Sequence, residues 1–204
     1  MEIWLGVLVL LVGYLLGSAP SAYILVRLVN GADIRALGTG NVGALNTYQQ
    51  LGVAGAVAVL IADVSKGAVA VLLPDWVGAP TWASYASAFA VVAGHTWPIF
   101  LRFRGGKGAA TALGVGLALA PPLATIALIP VAIGTLVLRN VVIGVAIGFL
   151  LFNVLTVATG ESWALAGTCL AVTLMVVANY LTRTLREMLS AVRQRKWHSI
   201  LYRE

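Results

Sequence analysis

Seven apolar segments, separated by short polar loops, occupy most of this 204-residue chain. Hydrophobic residues make up 60% of the sequence, charged residues make up 10%, and the mean hydropathy is +0.96. A soluble domain of this size cannot bury so much apolar surface, so the composition is typical of an integral membrane protein. The predicted fold class is all-α: a polytopic membrane protein of about seven transmembrane helices, forming a single integral membrane domain over residues 1–204.

The predicted spans lie where apolar runs approach the ~20 residues needed to cross the hydrocarbon core. They are Ile3–Leu25, Leu51–Leu73, Ala83–Phe100, Ala109–Ala120, Leu123–Leu138, Val141–Ala158 and Trp163–Leu181. The fourth and fifth segments are short, and Pro121-Pro122 between them indicates a tight turn. This pair is therefore either two spans or a broken, re-entrant element.

The basic residues follow alternate spans and so predict the orientation of the chain. Those in the loops are Arg27, Arg35, Arg102, Arg104, Lys107 and Arg139. The opposite loops carry Asp75 and Glu161 and no basic residue. The positive-inside rule then predicts an N-terminus outside the cell and a C-terminus in the cytoplasm, where residues 183–204 form a basic tail on the inner leaflet. The net charge of +6 indicates membrane lipid headgroups as partners and no nucleic acid.

Lys66 lies outside this arrangement of basic residues, within the second predicted span. Asp63 precedes it by three residues, so the two side chains share a helix face and can pair. Two interpretations remain open. The residues form either a buried ion pair that fixes helix packing or the polar lining of a substrate pocket.

Two loops on the predicted cytoplasmic side carry the residues with chemical potential. Residues 94–108 combine four glycines with Arg102, Arg104 and Lys107, a composition that favours an anion site at the membrane face. In residues 31–46, Gly38, Gly40 and Gly43 permit tight turns, while polar side chains offer donors to a ligand. Those side chains are Thr39, Asn41 and Asn46. Turn chemistry alone also explains such a loop.

These segments resemble the motifs of a known family. Gly17-Ser18-Ala19-Pro20, Asp33-Ile34-Arg35 and residues 38–46 are similar to the first motif of the bacterial acyl-phosphate:glycerol-3-phosphate acyltransferases, the PlsY family. Asp63-Val64-Ser65-Lys66-Gly67 resembles its second-span motif, and residues 94–108 resemble its second loop motif.

The resemblance implies acyl transfer in the bacterial cell membrane, with the active site facing the cytoplasm. The 1-hydroxyl of glycerol 3-phosphate attacks a fatty acyl phosphate, giving lysophosphatidic acid and inorganic phosphate for phospholipid synthesis. The family needs no cofactor and no metal, and either a homo-oligomer or a partner acyltransferase is compatible with it.

The resemblance also implies the site residues. The implied catalytic residues are Thr39, Asn41, His95 and Lys107. The implied substrate-binding residues are Ser18, Arg35, Gly38, Gly40, Gly43, Asn46, Arg104, Gly105, Gly106 and Gly108.

The chain also departs from the family motifs. Thr39 replaces a serine and keeps the hydroxyl, whereas Leu45, Gln49 and Val142 replace a threonine, an arginine and a serine. The histidine and asparagine of the third motif fall near Leu181 and Thr184. Either Arg183 and Arg186 act in their place, or the protein has left the parent reaction.

The alternatives to the enzyme are a diverged relative and a small transporter. The diverged relative is weakly active or inactive, and it binds a phosphorylated lipid precursor or regulates an active partner. The intact Gly105-Gly106-Lys107-Gly108 run favours the enzyme and the diverged relative over transport, which predicts more charge within the spans.

Overall fold

The computed structural model describes residues 2–193, and every regular element in that range is helical. The α-helices are α1 (Glu2–Ser18), α2 (Ser21–Asn30), α3 (Ala44–Trp76), α4 (Trp82–Thr96), α5 (Ala109–Leu119), α6 (Pro121–Leu136), α7 (Val141–Ala158) and α8 (Trp163–Arg193). Single 3-10 turns lie at Ile34–Ala36 and Ile99–Leu101. A helix occupies each of the seven predicted segments, so the predicted all-α membrane fold is confirmed.

Four helical stretches are long and apolar enough to cross a membrane. They are Glu2–Asn30, Ala44–Trp76, Val141–Ala158 and Trp163–Leu185. The apolar helices α5 and α6 are shorter. At a rise of 1.5 Å per residue α5 is only about 16 Å long, roughly half of the hydrocarbon thickness. The predicted turn between them is present, because Ala120 alone separates the end of α5 from Pro121 at the start of α6.

The first two predicted spans differ from the observed helices at the ends that are predicted to be cytoplasmic. The first is broken at Ala19-Pro20 into α1 and α2, because proline lacks the amide hydrogen that an unbroken helix would require there. The second begins at Ala44 instead of Leu51 and bends at Gly52, whose φ of 69° lies in the left-handed region. The opening turns of α3 therefore belong to the loop end of the molecule.

The last helix is longer than its predicted span. Residues 183–193, the first part of the predicted basic tail, continue α8 without a break. Residues 194–204, including Trp197 and Tyr202, lie outside the described residues. The predicted placement of this tail on the inner leaflet stays a prediction.

Facing glycines allow the helices to pack closely. Gly17 on α1 meets Gly94 on α4, and Gly67 on α3 lies beside the α5 turn that contains Thr111. Gly114 on α5 lies against the carbonyl of Val64 on α3. A Cβ added at any of these glycines would overlap the backbone of the neighbouring helix, so small residues set the interhelical distance here as they do in other membrane bundles.

A buried apolar cluster brings the two loops together. Val26 of α2, Ile34 and Val42 of the loop after it, Val59 of α3 and Leu101 after α4 pack in one group. Because this cluster contains residues from both loops and both flanking helices, it places residues 31–43 beside residues 97–108. We call these segments the first loop and the glycine loop.

We predict that Gly114→Ala destabilises the bundle, whereas Gly167→Ala on the exposed face of α8 does not. The added methyl at 114 would lie within the α3 backbone and should cost about 1–3 kcal/mol. At Gly167 a Cβ meets nothing within 4 Å, and alanine in a helix is favoured over glycine by up to about 1 kcal/mol. Thermal unfolding of both variants in the same detergent measures the difference, and equal midpoints would contradict this packing.

Candidate functional site

The amide side chain of Asn46 holds the first loop together. Asn46 lies in the first turn of α3 and is 0% exposed. Its Nδ2 donates to the carbonyls of Leu37 and Asn41, each at 3.0 Å, and of Ile34 at 3.1 Å. Its Oδ1 accepts the amide hydrogen of Thr39 at 3.3 Å. The observed role of Asn46 is therefore to shape the loop, and the predicted contact with a substrate remains a prediction.

Arg35 joins the first loop to the glycine loop. Its guanidinium forms an ion pair with Asp33, with Nη2 2.6 Å from Oδ2, and its Nη1 donates to the Leu101 carbonyl at 3.2 Å. The side-chain hydrogen bond from Arg35 lowers the pKa of the Asp33 carboxyl below its usual range, so the pair stays ionised well into the acid range. The predicted substrate-binding residue Arg35 thus already has partners within the protein.

The peptide groups of the glycine loop are anchored to the end of α4. The amide of Gly105 donates to the Thr96 carbonyl at 3.2 Å, and the amide of Gly106 donates to the His95 carbonyl at 3.0 Å. A Cβ at Gly106 would fall on Nε2 of His95 and on the Val42 carbonyl. Glycine is therefore required at 106 by the closeness of the imidazole and of the first loop.

Two side chains of α8 contact the same loop from another side. Nδ2 of Asn179 donates to the carbonyls of Gly106 and Lys107, both at 3.2 Å. Nη1 of Arg183 donates to the Gly105 carbonyl at 2.9 Å. The family resemblance aligns the third motif with Leu181 and Thr184, so Asn179 is not among the predicted site residues. The available signal was two polar residues four apart in an apolar helix, which share one helix face.

The lysine of the glycine loop also contacts α8. The Lys107 ammonium lies 4.4 Å from the centroid of the Tyr180 ring, within the range of a cation–π interaction. Of the other predicted cations, Arg102 and Arg104 are exposed. Lys107 is thus the half-buried cation of this loop, and its ammonium group is held against the ring of Tyr180.

Asp63 and Lys66 form the predicted ion pair, and both side chains also contact residues of other helices. The Lys66 ammonium lies 2.8 Å from Asp63 Oδ1 and also donates to the Ala19 carbonyl at 3.1 Å. Ser21 donates to the same carboxylate oxygen at 2.5 Å, and Nδ1 of His95 lies 3.6 Å away. The pair therefore joins α3 to the break between α1 and α2 and to the end of α4.

A small cavity connects this ionic group to the glycine loop. It measures about 10 Å³, which is room for one water-sized group. Its lining includes Ser18, Asp63, Lys66, His95 and Gly106. The interpretation as a buried ion pair is therefore confirmed, whereas the interpretation as the lining of a substrate pocket stays a prediction.

Among residues 2–193, a few buried polar atoms lack a hydrogen-bond partner, and two of them belong to predicted site residues. Oγ of Ser18, a fully buried residue, has no partner there, and neither has Oδ1 of Asn41. The Thr39 hydroxyl is exposed and accepts the Asn41 amide hydrogen at 3.4 Å. These groups retain the capacity to bind a polar ligand.

Within residues 2–193, no three His, Cys, Asp or Glu side chains group closely enough to hold a metal ion.

The structure therefore brings some of the predicted site residues together around one cavity, whereas the other predicted residues lie outside its lining. Ser18, His95, Gly105 and Gly106 line one cavity, and Lys107 follows directly in the chain. The remaining glycines of the predicted set, Gly38, Gly40, Gly43 and Gly108, shape the two loops, and three of them have positive φ values, Gly43 being extended. Arg104 is an exposed residue of the glycine loop.

Most of the chain is similar to proteins of one known family. The family model described as glycerol-3-phosphate acyltransferase matches residues 7–190. Glycerol-3-phosphate acyltransferase of Halalkalibacterium halodurans is 44% identical over 167 residues, which is 78% of each chain. Glycerol-3-phosphate acyltransferase 4 of Dehalococcoides mccartyi is 50% identical over 116 residues, 57% of this chain and 50% of the relative. The match spans 52% of another Dehalococcoides relative and 59% of one from Rubrobacter xylanophilus, so the chain covers little more than half of several relatives.

Two solved structures share the fold. The crystal structure of PlsY (YgiH), an integral membrane glycerol 3-phosphate acyltransferase in its glycerol 3-phosphate form, superposes with a TM-score of 0.79 at 27% identity. The lysphosphatidic acid form gives 0.75 at 26% identity, and both alignments cover 93% of this chain and 92% of the other. Because the family model covers nearly all of the described residues and a relative is 44% identical over 78% of the chain, this protein belongs to the glycerol-3-phosphate acyltransferase family.

Proposed function

We propose that this protein transfers a fatty acyl group from an acyl phosphate to the 1-hydroxyl of glycerol 3-phosphate. In this reaction the hydroxyl oxygen bonds to the acyl carbon, and the bond from that carbon to the phosphate oxygen breaks. The hydroxyl proton leaves with inorganic phosphate, and the lipid product is lysophosphatidic acid. The family membership supports this reaction, as do the neighbours whose crystal forms contain glycerol 3-phosphate and lysphosphatidic acid.

The observation that carries the proposal is the glycine loop, which leads through Lys107 directly into the first turn of α5. The first amides of a helix lack intrahelical acceptors and carry partial positive charge, so they bind anions. Gly108 makes the transition with φ at 96°, a conformation that other residues rarely adopt. We place a substrate phosphate here, beside the Lys107 ammonium.

The acyl phosphate is already activated, so the protein needs mainly to orient two phosphorylated substrates and to balance their charge. In this proposal Lys107 neutralises phosphate, and Thr39 and Asn41 bind the polar part of the acceptor. His95 is 7% exposed, and its carbonyl anchors Gly106. Its burial behind the loop favours a positioning role over direct contact with the acceptor.

We also propose that the site faces the cytoplasm in a bacterial cell membrane. The support is the charge distribution, since Arg27, Arg35, Arg102, Arg104 and Lys107 lie in or beside the two loops that form the site. By the positive-inside rule such an end of the molecule lies in the cytoplasm. The acyl chain would then lie between helices, in contact with membrane lipid.

The direct test is turnover by the protein purified in lipid nanodiscs, supplied with palmitoyl phosphate and radiolabelled glycerol 3-phosphate. Labelled lysophosphatidic acid is the expected product, with release of one inorganic phosphate per acyl group transferred. A folded preparation that yields no labelled lipid would overturn the proposed reaction and would favour the diverged, binding relative.

We predict that Lys107→Ala lowers turnover by at least about 100-fold, because the variant loses the charge that stabilises phosphate in the transition state. Arg102→Ala is the matched control, since Arg102 is an exposed cation of the same loop. That variant should stay within about threefold of wild type, as exposed charges contribute little. Equal activities of the two variants would remove Lys107 from the phosphate site.

We predict that Gln49→Arg lowers the KM for glycerol 3-phosphate by roughly fivefold, since a guanidinium binds phosphate through two parallel hydrogen bonds. Gln49 lies one turn after Asn46, and a Cβ at Gly38 would meet its Oε1 at 2.5 Å. The side chain therefore reaches the first loop.

The matched control at this position is Gln49→Glu, which should raise the same KM by like-charge repulsion. Initial rates at varied glycerol 3-phosphate and saturating acyl phosphate measure both variants. If arginine and glutamate give the same KM, the side chain at 49 does not face the phosphate.

A further inference from the structure

Three consecutive carbonyls of the glycine loop are held by two side chains of α8. Arg183 donates to the carbonyl of Gly105, and Asn179 donates to those of Gly106 and Lys107. The two side chains also bind one another, since Nε of Arg183 donates to Oδ1 of Asn179 at 3.1 Å. Asn179 is 6% exposed and lies one turn before Arg183, so the two side chains form one hydrogen-bonded unit.

The direction of these hydrogen bonds determines where the loop amides point. In a trans peptide the carbonyl of one residue and the amide hydrogen of the next point in opposite directions. Asn179 draws the carbonyls of Gly106 and Lys107 towards α8. The amides of Lys107 and Gly108 consequently point away from α8.

The preceding peptide group is held on both sides. Its carbonyl, that of Gly105, accepts from Arg183, and its amide, that of Gly106, donates to the carbonyl of His95. Arg183 also donates to the carbonyl of Thr96 at 3.4 Å through Nη2. The loop is therefore fixed between the end of α4 and the face of α8.

Such anchoring has a physical benefit in a glycine-rich segment. Three of the four residues from 105 to 108 are glycine, the residue with the largest backbone freedom to lose on ordering. A loop ordered in advance binds its ligand without that entropic cost. The neighbouring Tyr180 ring, 4.4 Å from the Lys107 ammonium, likewise restricts the lysine side chain.

We propose that Asn179 and Arg183 are positioning residues for the acceptor phosphate, acting through the backbone of the glycine loop. From α8 they anchor the glycine loop. Leu181 and Thr184, which align with the third family motif, do not provide this anchoring. This inference rests on the proposed function in that the anion bound by the loop is the phosphate of glycerol 3-phosphate. Neither side chain needs to touch the substrate.

Kinetic measurements on Arg183→Ala and Asn179→Leu test the proposal. Each variant should raise the KM for glycerol 3-phosphate at least about tenfold and leave the KM for palmitoyl phosphate within about twofold. Arg183→Lys should recover most of the loss, because an ammonium can still donate to the Gly105 carbonyl. Arg183→Met, which keeps the length of the side chain without its donors, should not recover it.

The two residues should also behave as one unit. The double variant should raise the KM for glycerol 3-phosphate little more than either single variant, since each change alone releases the loop. Thr182→Ala is the matched control on α8, because the exposed Thr182 hydroxyl bonds within its own helix, to the Asn179 carbonyl. An unchanged KM for glycerol 3-phosphate, or an equal rise in both KM values, overturns the proposal.

A second measurement does not depend on turnover. In wild-type protein, glycerol 3-phosphate at millimolar concentration should slow amide hydrogen exchange of residues 105–110, and in Arg183→Ala this protection should be lost. If the wild type shows protection but no acyl transfer, the proposed reaction fails while the anchoring proposal stands. Equal protection in wild type and Arg183→Ala overturns the anchoring proposal even if the reaction is confirmed.

Discussion

Hydrogen bonds from side chains to backbone carbonyls hold together the part of this protein that is not helical. In an apolar environment each unpaired carbonyl carries a large free-energy cost, so irregular backbone requires donors from the protein itself. Asn46 and Arg35 supply them to the two loops, and Lys66 supplies one to the break before Pro20. Asn179 and Arg183 supply them to the glycine loop. The geometry of the site depends on these five side chains.

The helices provide the fixed frame from which these donors act. Facing glycines bring α1 onto α4 and α3 onto α5 without intervening side chains, and the energy of that contact comes from close packing. Asn46 and Asp63 lie on α3, and Asn179 lies on α8, so their positions follow from helix packing. The candidate site thus consists largely of loops whose shape is determined by the surrounding helices.

Much of the fold and part of the site could be predicted from sequence. Apolar length located the seven helical segments but not the break between α1 and α2, and the spacing of Asp63 and Lys66 predicted an ion pair that the structure contains. Glycine content and charge located the glycine loop and Lys107. Asn46 and Arg35 were found by composition, but composition could not distinguish a residue that binds a ligand from one that binds its own loop. That distinction depends on which carbonyls lie nearby.

Local chemistry by itself determined where most of the chain is helical and predicted which loop is the candidate anion site, because hydropathy, charge and glycine content act within a few residues. Tertiary structure alone decided that Asn179 and Arg183 meet a loop more than seventy positions earlier in the chain. It also decided that His95 lies behind that loop, next to Asp63. Hydrogen bonds depend on distance and direction in space, and neither quantity is encoded in the spacing of residues on different helices.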